Sequence, residues 1–196
     1  MIDSNFFKCR ILGCRIEERE TDKSWFSKHL GNICSRLVED LEVIKKLCEP
    51  CFPPSYKVFD YCVDNIHSLL ESYLRELIDG DQLHGQEFFV LMSWTDVYKS
   101  TYFMGHPNLQ YDTSKLGDLL NEQYYEKVLS QHIEYTSKKM SSWFQNAVEK
   151  NYNEWLENVP PNLIDGNLES SMPNDINSML IQQVNNNYNC FILRIL

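Results

Sequence analysis

The sequence predicts an all-α fold, an elongated bundle of long antiparallel helices. Glycine and proline, the residues that most often end helices, number only seven each in 196 residues. Apolar residues recur at spacings of three and four along most of the chain, as they do on one face of a helix. Residues 121–156 contain neither glycine nor proline, and long helices joined by short loops are typical of a bundle.

The composition restricts the classes of function. Hydrophobic residues make up 43% of the chain, which supplies a core and argues against disorder. The net charge of −10 repels phosphate backbones and anionic lipid surfaces. No apolar run reaches the ~20 residues that span a bilayer, and Lys8, Arg10 and Arg15 interrupt the N-terminal stretch, unlike a signal peptide. We therefore expect a cytosolic protein with protein partners, without nucleic-acid binding or membrane insertion.

The first predicted helix covers about residues 22–47, after an N-terminal extension or cut helix at 1–21. Its apolar residues share one face at helical spacing. They are Leu30, Ile33, Leu37, Leu41 and Ile44. The segment ends at Pro50, Pro53 and Pro54, because proline lacks the backbone N–H that a helix needs and clashes with the preceding turn.

The second predicted helix covers about residues 56–78. Ser55 offers a side-chain oxygen as its N-cap, and Gly80 offers a C-terminal stop. The helix carries a wide apolar stripe, which indicates contact with more than one neighbour. The stripe consists of Phe59, Cys62, Val63, Ile66, Leu69, Leu70, Tyr73, Leu74 and Leu77.

The third predicted helix covers about residues 86–102, and a loop around Gly105 follows it. A short helical turn is predicted at Leu116, Leu119 and Leu120. The fourth predicted helix is the longest, at 121–156. At about 1.5 Å per residue it would extend roughly 50 Å. We group residues 22–158 as one helical bundle.

Residues 159–174 are predicted as a linker, because Pro160, Pro161 and Pro173 interrupt any helix there. Asn174 or Asp175 can cap a fifth helix that extends through Val184. We therefore interpret residues 175–196 as the start of a further helix with an atypical, asparagine-rich and then apolar tail.

One group of residues raises the alternative of a small helical Cys/His metal-binding or enzymatic protein. Cys48 and Cys51 form a CxxC pair, with Cys62 and His67 further along. A structural zinc site usually shows a second ligand pair at similar spacing, and none follows here. On the predicted second helix, Cys62 and His67 would lie about 140° apart. A redox pair would need a preceding strand. We expect mostly buried thiols instead.

The remaining polar residues carry no recognisable catalytic pattern. The chain lacks HExxH, GxSxG and glycine-rich phosphate loops. His106 suits a turn, and His132 suits the apolar face of the fourth helix. The acidic pairs, such as Glu17–Glu18 and Glu39–Asp40, suit solvated faces or caps. We expect no enzyme, no catalytic residue, no metal site and no cofactor.

Aromatic side chains at helical spacing are mostly expected in the core, with a minority as anchors of protein contacts. The residues concerned are Trp94, Tyr98, Tyr102, Trp143, Phe144, Tyr152 and Trp155.

Four stretches, in order, carry a resemblance to a known family. The first is RIEERETDKSW at 15–25, and the second is PCFPPSY at 50–56, followed by Val58, Phe59 and His67. The third begins with LMSW at 91–94. It continues with Tyr98, Ser100 and Met104. The fourth consists of Met140, Trp143, Ala147, Glu149 and Trp155. With this order, roughly from 15 to 184, the chain resembles the exocyst complex component 3 family, which contains the Sec-six subunit.

The resemblance implies a structural role. It implies a fold in which helical bundles stack into the rod of a tethering complex, and assembly with other exocyst subunits and SNARE proteins. It also implies a cytoplasmic protein, recruited peripherally to the plasma membrane at exocytic sites, that tethers secretory vesicles before SNARE-mediated fusion. Since the family's chain is several times longer, the resemblance implies a truncated fragment. The matching positions are structural, so no catalytic or binding residue is carried over.

Overall fold

A computed structural model of the protein describes residues 4–13, 22, 24–164 and 167–191. It confirms the all-α prediction. The helices are α1 (Ser4–Leu12), α2 (Trp25–Val43), α3 (Val58–Asp79), α4 (Glu87–Val97), α5 (Glu122–Leu156) and α6 (Met172–Phe191). The strands of the described part are two segments of three residues each, β1 (Asn162–Ile164) and β2 (Asn167–Glu169), which pair antiparallel with Leu163 opposite Leu168.

The chain divides between His132 and Ile133 into two compact units. The division falls inside α5, whereas the sequence-based grouping kept 22–158 together. Burial explains the division. All the members of the buried hydrophobic cluster lie in the first unit, and its last member is Val128. Beyond Ile133, Ala147 and Asn151 are the buried residues among the side chains that the structure describes.

Helix α1 lies within the segment predicted as an extension or cut helix. Phe7 and Ile11, four residues apart, share one face of this helix and are buried in the core of the first unit. The guanidinium of Arg10 also donates to a carboxylate oxygen of Asp40 at 2.8 Å. This pair joins α1 to α2. The tail 192–196 and residues 14–21 lie outside the described residues.

Helix α2 begins at Trp25 rather than at the predicted Asp22. The Asp22 carboxylate accepts hydrogen bonds from the backbone N–H of Ser24, at 2.8 Å, and from its hydroxyl, at 2.7 Å. This local bonding holds the chain in a turn before the helix. At its other end the helix widens into a π-helical turn, Ile44–Cys48, and then a 3₁₀ turn, Glu49–Cys51, where the prolines begin.

The predicted N-cap of α3 is wrong. Ser55 lies inside a 3₁₀ turn, Pro54–Tyr56, and α3 begins at Val58 after Lys57, which adopts a left-handed φ of 45°. The predicted stop at Gly80 is correct in place, because α3 ends at Asp79. The left-handed residue there is Asp81, with a φ of 52°. Aspartate is among the non-glycine residues that tolerate this conformation.

Helix α4 ends five residues before the predicted limit, at Val97. The hydroxyls of Thr95 and Ser100 donate to the carbonyls of Met92 and Val97, at 2.7 Å each. Such bonds compete with the helical pattern, and turns follow up to Gly105. A Cβ at Gly105 would lie 2.8 Å from a backbone oxygen of Lys99, so this close approach of the chain requires glycine.

The predicted helical turn at Leu116, Leu119 and Leu120 is also wrong in place. The helical turn is a 3₁₀ turn at Thr113–Lys115, where the Asp112 carboxylate accepts from the Ser114 backbone N–H at 3.1 Å. The three leucines follow this turn in non-helical chain, and all are buried in the core. The three leucines are therefore apolar because they are buried, and their spacing does not indicate a helix.

Helix α5 agrees closely with the predicted fourth helix, and both its ends are capped. Asn121 accepts a hydrogen bond from the Tyr124 backbone N–H at 3.0 Å. At the C-terminal end, Asn158 has a φ of 54°, and the Val159 N–H bonds to the Glu154 carbonyl at 2.9 Å. With the bond from the Asn158 N–H to the Trp155 carbonyl, at 3.2 Å, this is a Schellman cap.

The hairpin and α6 follow α5 in the second unit. The hairpin lies inside the predicted linker 159–174, and α6 begins at Met172 and continues to Phe191, past the predicted limit at Val184. The Ser170 hydroxyl donates to the Asn151 side-chain oxygen at 2.6 Å, which ties the start of α6 to α5. In the part of the chain that the structure describes, no helix combines the length and apolar character needed to cross a membrane.

Candidate interaction surfaces

The structure does not bring the CxxC pair and His67 together as ligands. The Sγ of Cys51 is exposed and lies 3.2 Å from the Leu47 carbonyl oxygen, to which it donates. Cys62 is fully buried, and burial, with a smaller effect of Cys48, raises its pKa to about 11, so it remains a thiol. Within the described residues, no group of three or more His, Cys, Asp or Glu could hold a metal ion.

His67 instead pairs with a buried tyrosine. Its Nδ1 lies 3.0 Å from the hydroxyl of Tyr98, which is 1% exposed. Burial lowers the pKa of His67, and burial also raises the pKa of Tyr98. Both groups therefore stay neutral near pH 7. The pair joins α3 to the end of α4 and is part of the packed core.

His29 forms a second buried pair of this kind. Its Nε2 lies 2.7 Å from the Tyr73 hydroxyl, and burial lowers its pKa. Neither pair was predicted from the sequence. Of the histidines that the sequence singled out, His106 does sit in a turn, since its carbonyl accepts from the Leu109 N–H at 2.9 Å. His132 is half-buried and stacks on Phe89 with ring centroids 5.4 Å apart.

A further buried contact was missed by sequence reasoning. The indole N–H of Trp25 donates to a carboxylate oxygen of Glu87 at 2.6 Å. The other oxygen of Glu87 accepts from the His84 backbone N–H at 2.9 Å. This arrangement joins the start of α2 to the start of α4. No sequence signal marks it, because the two residues lie 62 positions apart.

The aromatic residues in the four stretches that resemble the family divide into a buried set and an exposed set. In the third stretch, Trp94 and Tyr98 are buried, and so are the neighbouring Leu91 and Met104. These residues build the core of the first unit. Tyr56 of the second stretch is 66% exposed, and Trp155 of the fourth stretch is 59% exposed. Exposed large aromatic side chains are the ones available for contacts with another chain.

The first exposed apolar surface is a cluster at the prolines of the first unit. Phe52 and Tyr56 stack in a tilted pair with ring centroids 6.2 Å apart. All the residues from Pro50 to Lys57 are exposed. We call this surface the proline corner. Its exposed aromatic members are Phe52 and Tyr56.

The second exposed apolar surface lies on the last turns of α5, in the second unit. At about 100° per residue, its members fall within an arc of roughly 100° around the helix. We call this surface the α5 stripe. Its members are Val148, Tyr152, Trp155 and Leu156. The buried residues Ala147 and Asn151 lie on a neighbouring side, so the stripe is a second apolar face of the helix.

Comparisons with known proteins agree on one family. The family model that matches is described as exocyst complex component Sec6, and it matches residues 5–191. Exocyst complex component 3 of Drosophila melanogaster is 33% identical over 142 residues, which are 71% of this chain and 19% of that protein.

Two further relatives are similar over less of their sequence. Exocyst complex component 3 of Caenorhabditis elegans is 28% identical over 71% of this chain and 18% of its own length. The human exocyst complex component 3-like protein is 30% identical over 56% of this chain and 15% of its own length. The chain thus spans about a fifth of the length of the two exocyst complex component 3 relatives. No solved structure matches.

Proposed function

The chain belongs to the exocyst complex component Sec6 family, and from this membership we propose that it acts as a subunit of the exocyst. Its task is that of a scaffold that binds other proteins. The observation that carries the proposal is the family match over residues 5–191, which covers nearly the whole chain.

The surfaces support a binding role over a catalytic one. The proline corner and the α5 stripe expose aromatic and aliphatic side chains that would cost free energy in water. The buried histidines His29 and His67 are engaged with tyrosines in the core. A subunit that assembles with others uses apolar surfaces of this kind.

The proposal extends to the partners and the place of action. Other exocyst subunits are its direct partners, and SNARE proteins are further partners. The protein is cytoplasmic and is recruited peripherally to the plasma membrane, where it tethers secretory vesicles before SNARE-mediated fusion. The net charge of −10 supports recruitment through proteins, because an acidic chain is repelled by anionic lipids.

Co-purification with quantitative mass spectrometry tests the proposal. The tagged chain is expressed in cells and recovered under mild conditions. We expect the other exocyst subunits to be enriched over a tagged, unrelated acidic helical protein. The double variant Phe52→Ala/Tyr56→Ala removes the aromatic pair of the proline corner, and the control Tyr102→Ala removes an aromatic residue outside it that is more exposed than either.

Recovery of exocyst subunits by the original chain and by the Tyr102→Ala variant, but less by the double variant, would support assembly through the proline corner. Recovery no higher than with the unrelated protein would refute membership in the complex. Microscopy of the same tagged chain checks the location. A signal concentrated at the plasma membrane only while other exocyst subunits are present would agree with peripheral recruitment.

A further inference from the structure

The α5 stripe ends at a notch in the surface of the second unit. The notch has a volume of about 330 Å³ and lies between the end of α5 and the start of α6. Trp155 belongs to both the stripe and the notch. Pro160 and Pro161 add further apolar wall. A segment lying on the stripe could therefore extend one side chain into the notch.

The charged lining of the notch is mainly acidic. Glu154 and Asp175 contribute carboxylates from α5 and α6. Asn151, which is buried, holds its side-chain oxygen against the Ser170 hydroxyl at 2.6 Å. The cation of the lining is Lys150, 3.9 Å from Glu154. With two carboxylates and one ammonium, the notch has a net negative charge.

The charge around the stripe has the same sign. The charged side chains that the structure describes between Trp143 and Val184 are four carboxylates and one lysine, namely Glu149, Glu154, Glu157, Asp175 and Lys150. An apolar surface set in a negative field attracts a partner with positive charge and repels a negative one. The same field disfavours a second copy of this chain at the stripe, because the two acidic surfaces would face each other.

We propose that the α5 stripe and the notch together bind a cationic amphipathic segment of another protein. Apolar side chains of that segment lie on Val148, Tyr152 and Leu156. An arginine of the segment enters the notch, with its guanidinium beside the carboxylates of Glu154 and Asp175. Arginine fits best, because its planar fork matches carboxylates and its face stacks on an indole such as Trp155.

This inference rests on the proposed function only for the choice of a protein as the occupant. The exocyst assay can succeed through the proline corner while the stripe binds nothing. Conversely, the stripe can bind its segment in the purified chain whether or not exocyst subunits are recovered. The two proposals therefore fail in different experiments.

Binding of model peptides to the purified full chain tests the inference. The probe is a synthetic amphipathic helix with leucine on one face and arginine on its flanks. Titration calorimetry gives the affinity, and the emission of Trp155, the most exposed tryptophan, reports on its burial. We expect saturable binding, a blue shift of the emission, and weaker binding at higher salt.

Matched peptides and variants locate the binding. A peptide with the same leucine face and glutamate flanks should bind at least about tenfold more weakly. Trp155→Ala and the double variant Glu154→Gln/Asp175→Asn should each weaken the arginine peptide about tenfold, the typical effect of losing an interface anchor or a close charge pair. Tyr102→Ala, which removes an aromatic side chain 80% exposed in the first unit, should leave the affinity unchanged.

Several results would overturn the inference. Equal affinity for the glutamate peptide would show that charge plays no part, and equal affinity in the Glu154/Asp175 double variant would place the arginine elsewhere. Concentration-dependent dimers that disappear in Trp155→Ala would make a second copy the occupant. Binding to uncharged phosphatidylcholine vesicles with the same blue shift would make the surface a lipid contact. Circular dichroism of each variant checks that its helix content is unchanged.

Discussion

At the scale of single residues, buried polar pairs connect elements that are distant in sequence. His29 pairs with Tyr73, His67 with Tyr98, and Trp25 with Glu87. A buried polar group that loses its partner costs about 1–3 kcal/mol, so these contacts restrict the ways in which the helices of the first unit can pack.

His29 makes the stability of the protein depend on pH. Burial lowers its pKa from the usual value, so the unfolded state binds a proton more readily than the folded state. The contribution of neutral His29 to the free energy of unfolding is therefore complete above the ordinary histidine pKa of about 6.5. This contribution decreases as the pH falls below that value. We expect urea denaturation to give a smaller free energy of unfolding at pH of about 5.5 than at about 7.5.

The variant His29→Gln isolates this contribution. Glutamine keeps a polar side chain near the Tyr73 hydroxyl but does not titrate, so the decrease between the two pH values should be smaller in the variant. A decrease of the same size in both proteins would contradict the assignment. His132→Gln is the matched control for the loss of a histidine. It replaces a half-buried histidine that stacks on Phe89.

At the scale of elements, the ends of the helices are set by local chemistry. Helix α5 begins at a side-chain cap from Asn121 and ends in a Schellman cap with Asn158 in a left-handed conformation. Pro160 and Pro161 follow and cannot extend the helix. Helix α4, in contrast, ends where hydroxyl groups of Thr95 and Ser100 bond back to carbonyls.

The cap at Asn158 gives a prediction for this element. Asn158→Gly should preserve the cap, because glycine adopts a left-handed φ without strain. Asn158→Ala should weaken it by about 1 kcal/mol, the cost of that conformation for a residue with a Cβ. Hydrogen exchange of the Val159 amide, which bonds to the Glu154 carbonyl, measures the effect. Faster exchange in the alanine variant alone is expected, and equal exchange in both variants would rule out strain at this cap.

At the scale of the whole molecule, the two units differ in how they are stabilised. The first unit buries a continuous apolar cluster in which Leu70 and Leu74 of α3 are fully covered. In the described part of the second unit, large apolar side chains remain exposed on both helices, including Trp155 on α5 and Ile181 on α6. Burial of apolar area is the main favourable term of folding, so the first unit contains most of the stabilising contacts.

This difference predicts unequal protection from hydrogen exchange. In the full chain, amides of α2 and α3 should exchange slowly and together, whereas those of α6 should exchange faster through local opening. Leu70→Ala should lower the free energy of unfolding of the first unit by about 2–5 kcal/mol, while Ile181→Ala, at an exposed site, should change it by less than about 0.5 kcal/mol. Mass spectrometry of peptic fragments distinguishes the units.

Slow exchange in α6 equal to that in α3 would contradict the prediction. It would mean that the second unit is stabilised as strongly as the first, despite its few buried side chains.

The candidate surfaces were only partly predictable from the sequence. The sequence predicted that most of seven aromatic residues lie in the core and that a minority anchor protein contacts. The first part of this prediction is wrong, because only Trp94 and Tyr98 of the seven are buried. Tyr98 and Trp155 both occur at helical spacing among apolar neighbours, yet Tyr98 is 1% exposed and Trp155 is 59% exposed. The notch beside Trp155 was not predicted, because the elements that line it, α5 and α6, are separated by the hairpin.

The sequence by itself determined the helical class and the extent of α5, because apolar spacing, proline and capping residues act within a few positions along the chain. It also determined the family, through the order of its motifs. Only the tertiary structure decided which apolar faces are covered. Coverage of a face depends on whether another element packs against it, and that neighbour can lie anywhere in the chain, as Glu87 does for Trp25. The buried core of the first unit and the open α5 stripe therefore arise from similar local patterns with different neighbours.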